Sequence, residues 1–259
     1  MTIASLLEPI TGQPGPAHLA HAAAWMQGRT LYGGASALVA YTMATRAFTG
    51  LPPLRAGQIA FVAPVGEDVS LTAEIIRQGR NVTQVRSEII SDGKIALSAF
   101  WLFAEGRDAN ALRPAASPDD WPGPPEDHDT VTHQFAPQFI QNNFELRRSH
   151  PKGADTGATV RRWARLTEDN DLDPVARMVL MGDVMPPGAM RIMQRTGPIS
   201  SINWSFNILD PENRSRDGWY LAENASQHAA AGYSSERLRM WDADGKQVLD
   251  GIQCVAVFG

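Results

Sequence analysis

The chain has 259 residues, 43% of them hydrophobic and 20% charged, a balance that excludes whole-chain disorder and fibrous architecture. Basic residues number 23 against 28 acidic, a formal net charge of −5, so the chain lacks the electrostatic footprint of a nucleic-acid binder. A single cysteine, Cys254, excludes an internal disulfide framework and a thiolate-rich metal site within one chain.

The first fourteen residues carry no lysine or arginine, and no apolar run approaches the ~20 residues that span a bilayer. The expected location is therefore the cytoplasm, with no membrane partner. His18 and His21 stand three apart with no acid or third histidine nearby in sequence, and we read them as structural rather than metal-binding. Gly33-Gly34 introduces a segment, 34–48, in which Leu38, Tyr41, Thr45 and Phe48 recur at helical spacing with few charges. This pattern predicts a buried helix. The glycine pair either admits a ligand to the N–H groups at the helix start or makes an ordinary tight turn.

After Pro52-Pro53, segments 58–63, 69–78 and 81–91 show alternating or continuous apolar character. An Asp92-Gly93-Lys94 turn then leads into 95–104, completing an antiparallel meander. Proline and glycine accumulate in 113–125, and we take 107–132 as a linker between an N-terminal unit, 1–106, and a C-terminal unit, 133–259. The second unit repeats the order of the first. Strands are expected at 144–148 and 159–166, a helix within 174–193, then strands at 200–209, 219–225, 234–241 and 247–258. The last two are joined by another Asp-Gly-Lys turn, Asp244-Gly245-Lys246. A helix followed by antiparallel strands, used twice, is an α+β architecture in which each helix buries a face on its own sheet.

No phosphate-binding loop, dinucleotide fingerprint or nucleophile elbow is present. Arg161, Arg162 and Arg165 share one strand, where they either meet nucleotide phosphates or form a solvated face. Asp183, in Met181-Gly-Asp-Val-Met-Pro186, stands among apolar residues at the expected start of the second helix. Burial there would raise its pKa into the range of a general base, and an N-terminal cap is the competing role.

The motifs Leu31-Tyr-Gly-Gly-Ala35, Phe61-Val-Ala-Pro64, Arg77-Gln-Gly-Arg-Asn81 and Asp92-Gly-Lys94 lie in the first half. Val160-Arg-Arg-Trp-Ala-Arg165, Ser201-Ile-Asn-Trp-Ser205, Trp219-Tyr-Leu-Ala-Glu-Asn224 and Asp244-Gly-Lys246 with Gly251-Ile-Gln253 lie in the second. In order and spacing they resemble double-hotdog acyl-CoA thioesterases of the thioesterase II (TesB-like) type, over 29–107 and 145–258. The resemblance implies a double hotdog, two tandem units each with a long central helix wrapped by an antiparallel sheet. It also implies hydrolysis of an acyl-CoA to free acid and coenzyme A with no covalent intermediate and no cofactor, and dimers or higher oligomers of the double-hotdog unit.

In that family an Asp, a Thr or Ser, and a Gln hold the attacking water. The Gln position is kept as Gln253, the Asp position is Asn203, and the hydroxyl position is Gln227, with Ser226 one step away. A carboxamide at 203 has no useful basicity. The expectation is therefore that Asn203, Gln227 and Gln253 hold the water, that Asp183 supplies basicity, and that Gly33, Gly34 and Ser226 meet the substrate. Met178, Met181 and Met190 are expected to line the acyl tunnel. The alternative is a non-catalytic acyl-CoA binding protein that has lost the family's Asp. Hydration of an enoyl thioester ranks lowest, because 34–48 and 174–193 contain no histidine.

Overall fold

The computed structural model describes residues 2–131, 136–168 and 172–258. The sequence-based boundary at residues 132 and 133 lies outside them. A short helix α1 (Ile3–Leu7) and strand β1 (Gly15–His18) precede a two-residue ribbon, β2 (Met26–Gln27) and β3 (Thr30–Leu31). Helix α2 (Gly33–Ala47) follows, then strands β4 (Leu54–Phe61), β5 (Asp68–Gln78), β6 (Val82–Ser91) and β7 (Lys94–Ala104). The second half comprises α3 (Gln138–Asn143), β8 (Phe144–Arg148), β9 (Thr159–Leu166), α4 (Pro174–Met181), β10 (Ile199–Ile208), β11 (Tyr220–Ala230), β12 (Tyr233–Asp242) and β13 (Gln247–Val257).

Eleven strands form one antiparallel sheet in the order β1-β5-β6-β7-β4-β10-β13-β12-β11-β9-β8. The two halves meet at its centre, where β4 pairs with β10 through Gln58 opposite Ser205. On either side of that pair the strands run in equivalent order, so the halves are related by a local two-fold. Helices α2 and α4 lie together on the inner face. Every residue of α2 from Gly34 to Ala44 is buried, as expected of a helix packed on all sides.

The second helix departs from the sequence-based expectation. It starts at Pro174, capped by Asp173 Oδ1 accepting from Ala176 N at 2.9 Å, which is the proline-at-N1 arrangement a helix start favours. Asp183 therefore follows the helix and is not its N-cap. The helix ends at Gly182, where a side chain would collide with the ring of Trp204.

The proline-rich segment lies on the outer face of the C-terminal half. Trp121 meets Trp163 edge-on at 5.4 Å, Ser117 Oγ donates to Gly245 O at 2.7 Å, and the Arg161 guanidinium donates to Asp120 Oδ1 and Oδ2 at 2.9 and 2.6 Å. Among the described residues no helix is long and apolar enough to cross a membrane.

Candidate active site

The site forms where α2 begins and α4 has just ended. Both elements come this close because Gly33 and Gly34 have no side chains. A Cβ on Gly33 would collide with Asp183 Oδ2, and one on Gly34 would collide with Leu180 O and the Tyr32 ring. Tyr32, immediately before α2, donates its hydroxyl to Leu180 O and stacks on Phe139 at 4.3 Å. It thereby ties the end of α4 to the start of α2. No side chain caps the start of α2, so its first N–H groups point toward this junction with the positive end of the helix dipole.

Asp183 keeps some solvent-accessible surface, as do Gly33 and Phe61, yet protein surrounds its carboxyl. That burial raises its pKa to about 7, against the opposing effect of the hydrogen bond from Gln253. The bond runs from Gln253 Nε2 to Asp183 Oδ1 at 2.9 Å. Gln253 is itself buried, and its Oε1 has no hydrogen-bond partner among the described residues.

Gln253 belongs to a row of inward-facing residues across four strands: Trp204 on β10, Gln253 on β13, Glu236 on β12 and Ser226 on β11. Glu236 is fully buried. It accepts from Ser234 Oγ at 2.6 Å and from the backbone N–H groups of Gly188 and Ala189 at 2.8 and 3.2 Å. Ser226 Oγ joins this network through Ser234 Oγ at 2.8 Å. Glu236 thus fastens the Gly188–Arg191 turn to the sheet, next to Gln253 and on the far side of it from Trp204. Sequence reasoning missed Glu236 and Ser234. The only available signal was an acid in the strand 234–241, and alternation alone did not say which face it occupies.

The structure brings together Asp183, Gln253 and the Gly33-Gly34 helix start, with Ser226 in the adjoining network. It does not bring Asn203 or Gln227 to them. Asn203 is exposed opposite Cys254, its Oδ1 accepting from Cys254 N at 3.0 Å. A bulge between Ser201 and Asn203 sets the strand's alternation so that Trp204, not Asn203, faces Gln253. Gln227 is the extra residue of a bulge between Ser226 and His228, exposed, with its Nε2 donating to Ala225 O at 3.1 Å. Met178 and Met181 are buried beside the site, whereas Met190 is exposed. Among the described residues no three His, Cys, Asp or Glu side chains gather as a metal site requires.

The acyl-CoA thioesterase N-terminal domain model matches residues 21–104, and the C-terminal domain model matches 110–257. A search of curated proteins returns no significant match. Among solved structures, a hot dog fold protein of Alicyclobacillus acidocaldarius is 20% identical with a TM-score of 0.83, covering 96% of this chain and 97% of that one. The acyl-CoA thioesterase II TesB2 of Mycobacterium marinum is 16% identical with a TM-score of 0.70, at coverages of 87% and 88%. The dehydratase domain of PpsC from Mycobacterium tuberculosis, solved with C12:1-CoA, is 14% identical with a TM-score of 0.51, at coverages of 88% and 85%. These likenesses carry the fold, two hotdog units side by side in one sheet. The two domain models together span most of the sequence, and the chain belongs to the acyl-CoA thioesterase family.

Proposed function

We propose that the chain hydrolyses acyl-CoA thioesters to the free acid and coenzyme A, with water activated by Asp183. The observation that carries the reading is a carboxyl raised to about 7, held by Gln253 at the uncapped start of α2. A general base works best when its pKa lies near the operating pH. Asp183 takes a proton from water as the water oxygen bonds to the thioester carbonyl carbon. Gln253 holds Asp183 with its Nε2 and offers Oε1 to the same water. The carbonyl oxygen gathers negative charge against the first N–H groups of α2. Collapse of the tetrahedral intermediate breaks the C–S bond, and the proton held on Asp183 returns to the departing thiolate.

The binding-protein alternative rests on Asn203 in place of an acid. Asp183 weakens it, because a base is available from a different element. We further propose that 1–106 and 133–259 act as the two units of the site, with 107–132 as the strap between them. The test is thiol release from a panel of short, medium, long-chain and aromatic acyl-CoAs by the wild-type protein and Asp183→Asn. Turnover that the substitution abolishes supports the hydrolase. Tight binding of acyl-CoA with no thiol release establishes the binding protein instead.

A further inference from the structure

Most arginines of the C-terminal sheet face an acid: Arg147 and Arg165 pair with Glu145, Arg161 with Asp120 and Glu223, Arg237 with Asp250, and Arg239 with Glu223. Among the described residues Arg148 and Arg162 make no ion pair, although Asp129, whose carbonyl accepts from Arg148 N at 2.9 Å, stands beside Arg148 in register. The two arginines stand directly opposite each other on β8 and β9, on the inner face, each half-buried. Arg162 Nη1 donates to a carbonyl, Arg161 O, at 2.6 Å. Arg191, from the Gly188–Arg191 turn, donates Nε to Gly157 O at 3.2 Å. Burial, then the charges of Arg148 and Arg191, pull the Arg162 pKa down, and no carboxylate opposes them. His150 in the same neighbourhood is also held below its ordinary value, first by burial and then by Arg161 and Arg162.

Like charges directly opposite on a sheet are destabilising, and a guanidinium cannot escape by losing its proton. Two half-buried guanidinium groups directly opposite each other, with the charge of the exposed Arg191 reaching Arg162 and no ion pair to any of the three among the described residues, are therefore a costly arrangement for an unliganded fold. An anion with several oxygens in one plane-fitting group offsets that cost, and phosphate is the group that arginine forks match bidentately. The position suits the proposed substrate. Arg162 lies three strand spacings and about four residues from Gln253, roughly 20 Å by strand geometry. That is a span the pantetheine arm of coenzyme A covers when extended.

We propose that Arg148, Arg162 and Arg191 form the phosphate-binding cradle for the nucleotide end of coenzyme A. The assignment rests on the thioesterase reading, and its test separates the two. The primary readout is kcat and KM for one acyl group carried on coenzyme A and on pantetheine, in wild type, Arg148→Gln and Arg162→Gln. Loss of a charge-assisted phosphate contact is expected to raise KM for the coenzyme A thioester about 10-fold or more. The expected kcat, and KM for the pantetheine thioester, are unchanged. Equal effects on the two thioesters, or none on either, overturn the proposal.

Thermal stability supplies a readout that needs no turnover. Coenzyme A and 3′,5′-adenosine bisphosphate are expected to raise the Tm of wild type and not of Arg162→Gln, while the unliganded variant is as stable as wild type or more so. If that holds while no thioester is hydrolysed, the cradle stands and the hydrolase reading falls. If inorganic phosphate at the same concentration stabilises wild type as much as the nucleotides do, the assignment to coenzyme A is overturned.

Discussion

The two halves of the sheet share one plan and differ in what fills it. In the C-terminal half the inward row reads Trp204, Gln253, Glu236, Ser226. The corresponding row in the N-terminal half, counted from the central β4–β10 pair, reads Gly57, Trp101, Val85, Ile75. Trp101 closes its own polar needs, donating Nε1 to Ser87 Oγ at 2.8 Å, while Ser87 Oγ donates to Ala40 O at 2.8 Å. The helices diverge in the same sense. Helix α2 runs unbroken for 15 residues, whereas α4 stops after eight and turns at Gly182, which delivers Asp183 to the start of α2. One copy is filled by packing and the other carries the polar groups of the proposed site. A base at this junction also needs both halves, since the acid comes from one and the helix start from the other.

Three substitutions, one of them read in two ways, test that division of labour. The largest effect is expected from Asp183→Asn, a loss of about 1,000-fold in kcat for thioester hydrolysis, the scale of removing a positioned base. A loss under ten-fold would return the chemistry to some other group. Trp101→Gln, which writes the C-terminal residue into the packing half, is expected to cost about 3 kcal/mol in urea unfolding through lost burial and an unsatisfied amide. Its kcat/KM should stay within ~3-fold of wild type, and a large loss of activity would mean that the N-terminal row also takes part. Gln253→Ala should lower kcat about 100-fold, and an unchanged rate would remove it from the mechanism.

The smallest effect is one of stability. The folded pKa of Asp183 lies above its unfolded value, so its contribution is present in full below about pH 4 and is lost as pH rises through about 7. Asp183→Asn escapes that loss. Relative to wild type it should gain roughly 2 kcal/mol between pH 4 and pH 8, allowing for the accessible surface that the residue keeps. A pH-independent difference in urea midpoints would show that the carboxyl titrates normally.

Much of the fold was legible in the sequence because it depends on local chemistry. The two Asp-Gly-Lys turns sit where predicted, Gly93 and Gly245 both at positive φ as such turns require. The strands at Phe144–Arg148 and Thr159–Leu166 match the expected residues. Strand β11 runs five residues past the expected Ala225 because its bulge lets pairing with β12 continue. The site was legible only in part. Gly33-Gly34, Asp183 and Gln253 announce themselves through composition or motif. The facing of Asn203 does not, since it depends on a bulge, and one inserted residue reverses the side-chain alternation on which any reading of a strand rests, whereas Gln227 faces out by plain alternation from inward-facing Ser226. Glu236 lies beyond such a reading for a related reason, because the turn that satisfies it comes from 48 residues upstream.

As the proposed base, Asp183 owes its pKa to its buried environment. The most direct measurement is the pH dependence of kcat/KM for an acyl-CoA that the protein hydrolyses, in wild type and Asp183→Asn. The account predicts a rate that climbs about ten-fold per pH unit below 7 and levels off above it, with the limb abolished in the variant. A flat wild-type profile between about pH 5.5 and 8.5, or the same limb in both proteins, would contradict it.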